Sequence, residues 1–287
     1  MRIIGQGLRR SGTSIFFRLI SQDSRFVTYS EPLAKDKLLD GNAIDKGTDH
    51  MKGIRSSRNE FLKIKNIESL EFNHGAPTNF ELELVENSLD NNLLDYIQFL
   101  LDKGENTFLK FVRCGFSIKQ LSEIGDDVLL IHIEKNPALW AMSHIFGRNY
   151  TDYEKSADWF FEKREKFNSW SQETIANFYI AQRNPEFLER PAYFKLLYIW
   201  RDFNLKMKQD GGEYFKNRFL SIENSVLHEN YSSVLEEIYS HGEISVPDSM
   251  LKWADSVLRP PRDIVHKTDQ RWASAFEELG IDLRYLS

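Results

Sequence analysis

The chain has 287 residues, 41% of them hydrophobic, and its 37 Lys and Arg against 43 Asp and Glu give a net charge of -6. This composition is typical of a globular protein, and the acidic excess argues against a general nucleic-acid binder, which carries a basic surface. Cys114 is the only cysteine, which excludes an internal disulfide and a metal site built from cysteines.

The sequence also predicts the cellular compartment of the protein. No apolar stretch approaches the roughly 18 to 20 residues that a bilayer-spanning helix needs. Residues 1–5 run directly into a strand-like segment, which leaves no room for a signal peptide. We therefore expect a cytoplasmic protein with no transmembrane segment and no nucleic-acid partner.

Five short apolar segments predict strands, and most are apolar at nearly every position, as in strands buried on both faces of a parallel sheet. They are residues 2–6, 26–30, 108–113, 128–133 and 218–222. Helical periodicity lies between them, over residues 13–21, 80–103 and 117–124, in several helices within 152–209, and last over 269–279. This alternation predicts an α/β fold: a three-layer, P-loop-like sandwich with a central, mostly parallel five-stranded sheet and helical insertions, in one domain over residues 1–287.

Two regions are candidates for the substrate side of such a domain. Residues 35–69 are rich in charge, Gly, Asn and Ser and show weak periodicity. Long loops in compact domains are usually functional or disordered. This segment is therefore a candidate lid or acceptor-binding loop, and a mobile surface insertion is equally compatible with it. The second region is the helical stretch 150–210.

The turn after the first strand is the strongest single feature of the sequence. Residues 7–14 read Gly-Leu-Arg-Arg-Ser-Gly-Thr-Ser, and they lie between a predicted strand and a predicted helix, as a phosphate-cradling loop requires. Gly7 and Gly12 have the spacing of the ATP- and GTP-binding loop, and backbone amides after such glycines can point at an anion on the helix N-terminus. Thr13 stands where a nucleotide kinase has lysine, so the loop is suited to an anion but poorly equipped for magnesium-bridged γ-phosphate chemistry.

Two motifs at the start of the chain resemble a known family. The core Arg10-Ser11-Gly12-Thr13-Ser14 resembles the 5′-phosphosulfate loop of sulfotransferases that use 3′-phosphoadenosine 5′-phosphosulfate (PAPS), particularly the carbohydrate-type enzymes and their bacterial relatives. Many of those enzymes also have a Glu-Pro pair at the end of the second strand, where this chain has Glu31-Pro32.

A third motif lies in the middle of the chain. The family shows Lys-x-x-Arg on one strand, then an apolar strand ending in a basic residue, then a Ser eight positions later; the last two bind the 3′-phosphate. This chain has Lys110 and Arg113, then Lys135 and Ser143. It departs from the family because Lys135 replaces an arginine, which loses planar bidentate recognition, and because Glu134 precedes the basic residue instead of following it.

The resemblance implies a donor, a product and residue roles. PAPS would be the donor and adenosine 3′,5′-bisphosphate the product, with no metal required and a hydroxyl acceptor on a glycan or glycolipid sugar. Arg9, Arg10 and the residues from Ser11 to Ser14 would hold the 5′-phosphosulfate, and Arg10 would also stabilise the leaving phosphate. The 3′-phosphate would be bound by Lys135 and Ser143.

The general base is open to more than one assignment. Glu31 is the first choice, because it matches the Glu-Pro position and ends a strand beside the loop. It could instead be structural, bonded to backbone amides or to Arg10. His50, in the candidate lid, is a second choice, whereas His132 alternates with apolar residues and is expected in the core.

Two other functions are compatible with the same residues. A P-loop kinase or nucleotide hydrolase would use residues 131–134 as an apolar strand ending in an acid that holds magnesium, although the missing loop lysine argues against it. A non-catalytic binding protein could have kept the loop and lost turnover.

Overall fold

The computed structural model describes residues 1–33, 53–70, 89–112, 114–146, 155–163, 172–260 and 262–287. For residues 172–176 it describes the backbone alone. Several predicted positions lie outside these ranges: His50, Arg113 and the segments 35–52, 80–88, 150–154 and 164–171.

A parallel sheet forms the centre of the described chain. Its strands are β1 (Arg2–Gln6), β2 (Phe26–Ser30), β3 (Asn106–Phe111), β4 (Val128–Glu134) and β5 (Phe219–Glu223). The order is β2-β3-β1-β4-β5, and each neighbouring pair is parallel. The predicted five-stranded parallel sheet is confirmed. β1 and β2 have the predicted bounds, whereas β3 runs from residue 106 to 111 instead of 108 to 113, and β5 starts one residue later than predicted.

Helices connect these strands and follow the last one. They are α1 (Thr13–Ile20), α2 (Ile54–Lys65), α3 (Asn91–Leu101), α4 (Ile118–Ser122), α5 (Pro137–Ile145), α6 (Ala157–Phe161), α7 (Gln172–Arg183), α8 (Ala192–Asp210), α9 (Asn224–Glu229), α10 (Tyr231–Ser240), α11 (Asp248–Val257) and α12 (Gln270–Leu279). Short 3-10 turns occur at Pro185–Phe187, Lys216–Arg218 and Leu283–Leu286. Within the described residues, no helix is long and apolar enough to cross a membrane.

The helices cover both faces of the sheet, because successive strand residues point to opposite sides. On one face, Ile3, Phe108 and Ile131 pack against α1, α9, α10 and α11. On the other, Ile4, Leu109 and Leu130 belong to a larger core that includes residues of α3, α5, α8 and α12. This arrangement confirms the predicted three layers.

Part of the predicted lid is helical. Residues 54–65 form α2, and Ile54 and Phe61, seven residues apart and therefore on one face, are buried in the larger core. Surrounding polar residues weaken the apolar signal of this helix, which explains why the sequence suggested a loop here.

Candidate functional site

The carboxyl ends of β1 and β4 lie side by side, at the place where a parallel sheet of this order usually has a ligand crevice. The two strands are neighbours, with Gly5 opposite Ile131. The helix after β1 (α1) contributes to the core on one face, and the helix after β4 (α5) to the core on the other. Chains that leave neighbouring parallel strands in opposite directions open a cleft at the carboxyl edge, the usual ligand site of such sheets.

The turn at residues 7–12 is tightly shaped around its two glycines. A Cβ on Gly7 would lie 2.5 Å from the carbonyl oxygen of Ile133 and 2.7 Å from Ser11 Oγ. Gly12, with φ of 105°, precedes α1 and carries no side chain that could accept from the first helical amides. Arg10 also has positive φ, 66°, which is uncommon for a non-glycine residue and marks a tightly shaped turn.

A buried tryptophan fixes this turn to α5. The indole Nε1–H of Trp140 donates to the carbonyl oxygen of Arg9 at 2.8 Å. The imidazole of His144, one turn further along α5, lies edge-on to Trp140, with ring centroids 4.4 Å apart. The turn is therefore anchored to the larger hydrophobic core through Trp140.

Positive side chains converge in the crevice. Burial, followed by the charges of Arg10 and Arg262, lowers the pKa of Lys135 to about 8. Burial, followed by Arg10 and Lys135, lowers the pKa of His144 well below its ordinary value. The chain thus brings a loop cation, a strand-end cation and a cation from near the C-terminus into one electrostatic environment. A second indole holds Lys135 in place, since Trp200 Nε1–H donates to its carbonyl oxygen at 2.7 Å.

Unsatisfied polar atoms line the same region. In the described part of the chain, Ser11 Oγ and Asn224 Nδ2 are buried and have no hydrogen-bond partner. Leaving such a group unpaired costs about 1 to 3 kcal/mol, so native proteins pair nearly all of them. Two unpaired donors at a cationic turn fit the binding of a polar, anionic ligand.

An ion pair lies on the β3 side of the turn, away from Lys135 and β4. Lys110 is the next-to-last residue of β3, the strand next to β1, and its Nζ lies 2.5 Å from Oε1 of Glu31, the residue after β2. The backbone N–H of Glu31 also donates to the carbonyl oxygen of Lys110 at 2.8 Å. Because β3 lies between β2 and β1, at a spacing of about 4.8 Å from each, Lys110 lies between Glu31 and the turn at residues 7–12.

The turn residues, Glu31, Lys110 and Lys135 lie at this edge of the sheet, at or just beyond the ends of their strands. Thr13 is buried and Ser14 is exposed at the start of α1. Ser143 lies on α5, where it is buried and donates to the carbonyl oxygen of Trp140 at 2.6 Å. His132 is a core residue, as expected: it is fully buried on β4, and its Nδ1 lies 3.3 Å from Ser221 Oγ.

Sequence reasoning missed Arg262 and Asn224. Asn224 follows β5, and Arg262 follows α11 after a short polar segment. Neither lies in a spaced motif, and each reaches the site only through the folding of a distant part of the chain.

Glu134, the acid that a nucleotide hydrolase would use to hold magnesium, is hydrogen-bonded to other side chains of the protein. Its carboxylate accepts from Lys208 Nζ at 2.9 Å and from the Tyr285 hydroxyl at 2.8 Å, and its side chain is buried. It lines a cavity of about 190 Å³ between α8 and the C-terminal residues. Within the ranges given above, no group of three or more His, Cys, Asp or Glu side chains is placed to hold a metal ion.

Comparisons with known proteins give structural matches only. No protein-family profile matches the chain, and no curated protein sequence matches it. The sulfotransferase STF1 from Mycobacterium tuberculosis H37Rv matches at 12% identity and a TM-score of 0.49, over 89% of this chain and 70% of that one. STF9 from Mycobacterium avium, also a sulfotransferase, matches at 13% identity and a TM-score of 0.47, over 98% and 77%.

The sulfotransferase domain of the curacin biosynthetic pathway matches at 10% identity and a TM-score of 0.48, over 98% of each chain. At such identities, and with TM-scores below 0.5, the function of this chain has to be inferred from its own residues.

Proposed function

We propose that this protein is a sulfotransferase that moves a sulfuryl group from PAPS to a hydroxyl group of a carbohydrate. The observation that carries the proposal is that Lys135 is buried where the charges of Arg10 and Arg262 also act on it, so that burial, followed by these two charges, lowers its pKa to about 8. Arg10 belongs to the turn after β1, and Lys135 follows β4. Two cationic anchors on separate elements of one crevice suit a ligand with two separate anionic groups, as at the 5′ and 3′ positions of PAPS.

The residues present fit that donor. Arg10 supplies a planar guanidinium for the 5′ group, and α1 supplies helical amides that lack partners within the helix. Ser11 Oγ is a buried donor at the same turn. Lys135 and Arg262 supply positive charge for the 3′-phosphate. PAPS itself provides the activated sulfuryl group, with an adenosine bisphosphate as leaving group.

Arg10 and Glu31 have separate tasks in this proposal. As the S–O bond to the donor breaks, negative charge grows on the leaving phosphate, and the fixed guanidinium of Arg10 stabilises it. Glu31 accepts the proton of the attacking hydroxyl. Lys110 holds the Glu31 carboxylate at the β2–β3 side of the turn, opposite Lys135, which follows β4. An acceptor approaching from the Glu31 side would therefore meet the sulfuryl group from the side away from the 3′-phosphate anchors.

The same geometry disfavours a magnesium-dependent kinase. Thr13 replaces the lysine that reaches the outer phosphates in such enzymes. The acid at the end of β4, Glu134, is engaged by Lys208 and Tyr285. A carbohydrate acceptor is proposed because the Glu31-Pro32 pair resembles that of the carbohydrate-type enzymes.

Thermal unfolding with adenosine 3′,5′-bisphosphate tests the proposal. Ligand at 100 times its dissociation constant stabilises a protein by about 2.7 kcal/mol, which raises the melting temperature by several degrees. Arg10→Asn should abolish the increase, since asparagine tolerates the positive φ but lacks the charge. Arg18→Ala removes an exposed charge from the other end of α1 and should leave the increase intact.

Two results would contradict the proposal. One is the absence of any increase at millimolar adenosine 3′,5′-bisphosphate. The other is stabilisation by ATP with magnesium but not by the bisphosphate, which is the behaviour of a kinase.

A further inference from the structure

Asn224 is packed directly onto the anion-binding turn. It is the first residue of α9, immediately after β5, and only 8% of its surface is exposed. A Cβ on Gly12 would lie 2.1 Å from Asn224 Nδ2. The amide group therefore occupies the space that a side chain at position 12 would need, beside the start of α1.

The amide nitrogen of Asn224 is also unsatisfied. Within the described residues, Nδ2 is buried and donates to no acceptor. An amide nitrogen carries two N–H donors, and a buried unpaired donor destabilises the fold unless a ligand accepts from it. Ser11 Oγ is in the same state on the same turn. Two independent elements, the turn and α9, thus present unpaired neutral donors where Arg10 supplies a charge.

We propose that Asn224 is a further ligand-binding residue, whose Nδ2 donates a hydrogen bond to the anionic group that the turn holds. This inference rests on the proposed function and specifies which part of the donor Asn224 recognises: the 5′ group and not the 3′-phosphate. A neutral donor adds directional recognition without further like-charge repulsion in a site that already holds Arg10, Lys135 and Arg262.

The test compares two ligands that differ only at the 5′ position. Affinities for adenosine 3′,5′-bisphosphate and for adenosine 3′-monophosphate are measured by titration calorimetry on the full chain. Asn224→Ala should lower the affinity for the bisphosphate about tenfold, as expected for the loss of a hydrogen bond to a charged group. It should change the affinity for the monophosphate by less than about twofold. Asn224→Asp keeps the shape of the side chain but places a carboxylate against the anion, so it should lower the affinity for the bisphosphate about a hundredfold.

Val226→Ala, on the exposed side of the same helix, is the matched control and should leave both affinities unchanged. The melting temperature of each unliganded variant shows that it is folded. Equal losses for both ligands in Asn224→Ala would mean that Asn224 acts through the fold, and this would overturn the inference. Unchanged bisphosphate affinity in both Asn224 variants would overturn it as well, while leaving the proposed function in place. If the wild-type protein bound neither ligand, the proposed function would fail, and this inference with it.

Discussion

The Glu31 carboxylate and the Lys110 ammonium group lie 2.5 Å apart, and their side chains are only 11% and 5% exposed. Glu31 has positive φ, 56°, so its backbone turns sharply where β2 ends. The pair fixes a carboxylate on one side of the turn at residues 7–12, and each partner neutralises a charge that burial would otherwise penalise.

The first prediction concerns Glu31 as the base. Glu31→Gln keeps the size of the side chain but cannot accept a proton. It should bind adenosine 3′,5′-bisphosphate with an affinity within about twofold of wild type and lose sulfuryl transfer by about 10² to 10⁴-fold. Transfer is followed as the release of adenosine 3′,5′-bisphosphate from PAPS in the presence of soluble sugars. Glu60→Gln, an exposed glutamate paired with Lys103, is the control. Unchanged turnover in Glu31→Gln would remove Glu31 from the role of base.

The second prediction concerns the stability of the same pair. Lys110→Met leaves the Glu31 charge buried without its ammonium partner, so the free energy of unfolding should fall by about 3 to 5 kcal/mol. Adding Glu31→Gln removes the buried charge and should recover most of that loss. Urea denaturation of the two single variants and the double variant measures the coupling. If the losses in the free energy of unfolding simply add in the double variant, the two charges do not stabilise each other.

The third prediction follows from the pKa of Lys135, which burial, Arg10 and Arg262 lower to about 8. In the unliganded protein this lysine is charged below that pH and becomes neutral as the pH rises through it. Anion binding requires the charge, so the affinity for adenosine 3′,5′-bisphosphate should be constant near pH 7 and fall above pH 8, by up to tenfold per pH unit. The ligand phosphates, with a second pKa near 6, are already ionised over this range.

Lys135→Arg isolates the contribution of this residue, because arginine stays protonated throughout the range. Its affinity should no longer fall between pH 8 and 9.5. The same decline in both proteins would assign the pH dependence to another group.

The fourth prediction concerns the contact between the turn and α9. Gly12→Ala places a Cβ within 2.1 Å of Asn224 Nδ2 and forces alanine to adopt a φ of 105°. The melting temperature should drop by several degrees, and the thermal shift with adenosine 3′,5′-bisphosphate should disappear. Gly212→Ala is the control, since a Cβ there meets no atom within 4 Å. A normal ligand shift in Gly12→Ala would show that the turn tolerates a side chain at this position.

The centre of the sheet was predictable because β1, β3 and β4 are buried at nearly every position and are therefore largely apolar. Residues 2–6 and 26–30 both matched their observed bounds, although β2 is an edge strand with two half-buried positions. The end of β3 was misplaced because Val112 continues the apolar run, whereas pairing stops at Phe111, opposite Gln6, the last residue of β1. The limit of a strand depends on its neighbour, which the local sequence does not contain.

The site was only partly predictable. The turn at residues 7–12 could be found because its glycines are close in sequence and lie between a strand and a helix. The pairing of Glu31 with Lys110 joins residues 79 positions apart and depends on β2 lying next to β3. Asn224 and Arg262 likewise come from remote segments, and no spacing rule connects them to the turn.

Two indoles tie Arg9 and Lys135 to the interior: Trp140 donates to the carbonyl oxygen of Arg9, and Trp200 to that of Lys135. Both rings belong to the larger core. Tryptophan emission should therefore change when the turn or the end of β4 shifts, so fluorescence would report any ligand that moves either segment. Replacing either ring with phenylalanine would remove one tether while keeping an aromatic side chain, and so would show how much of the affinity depends on the rigidity of the scaffold.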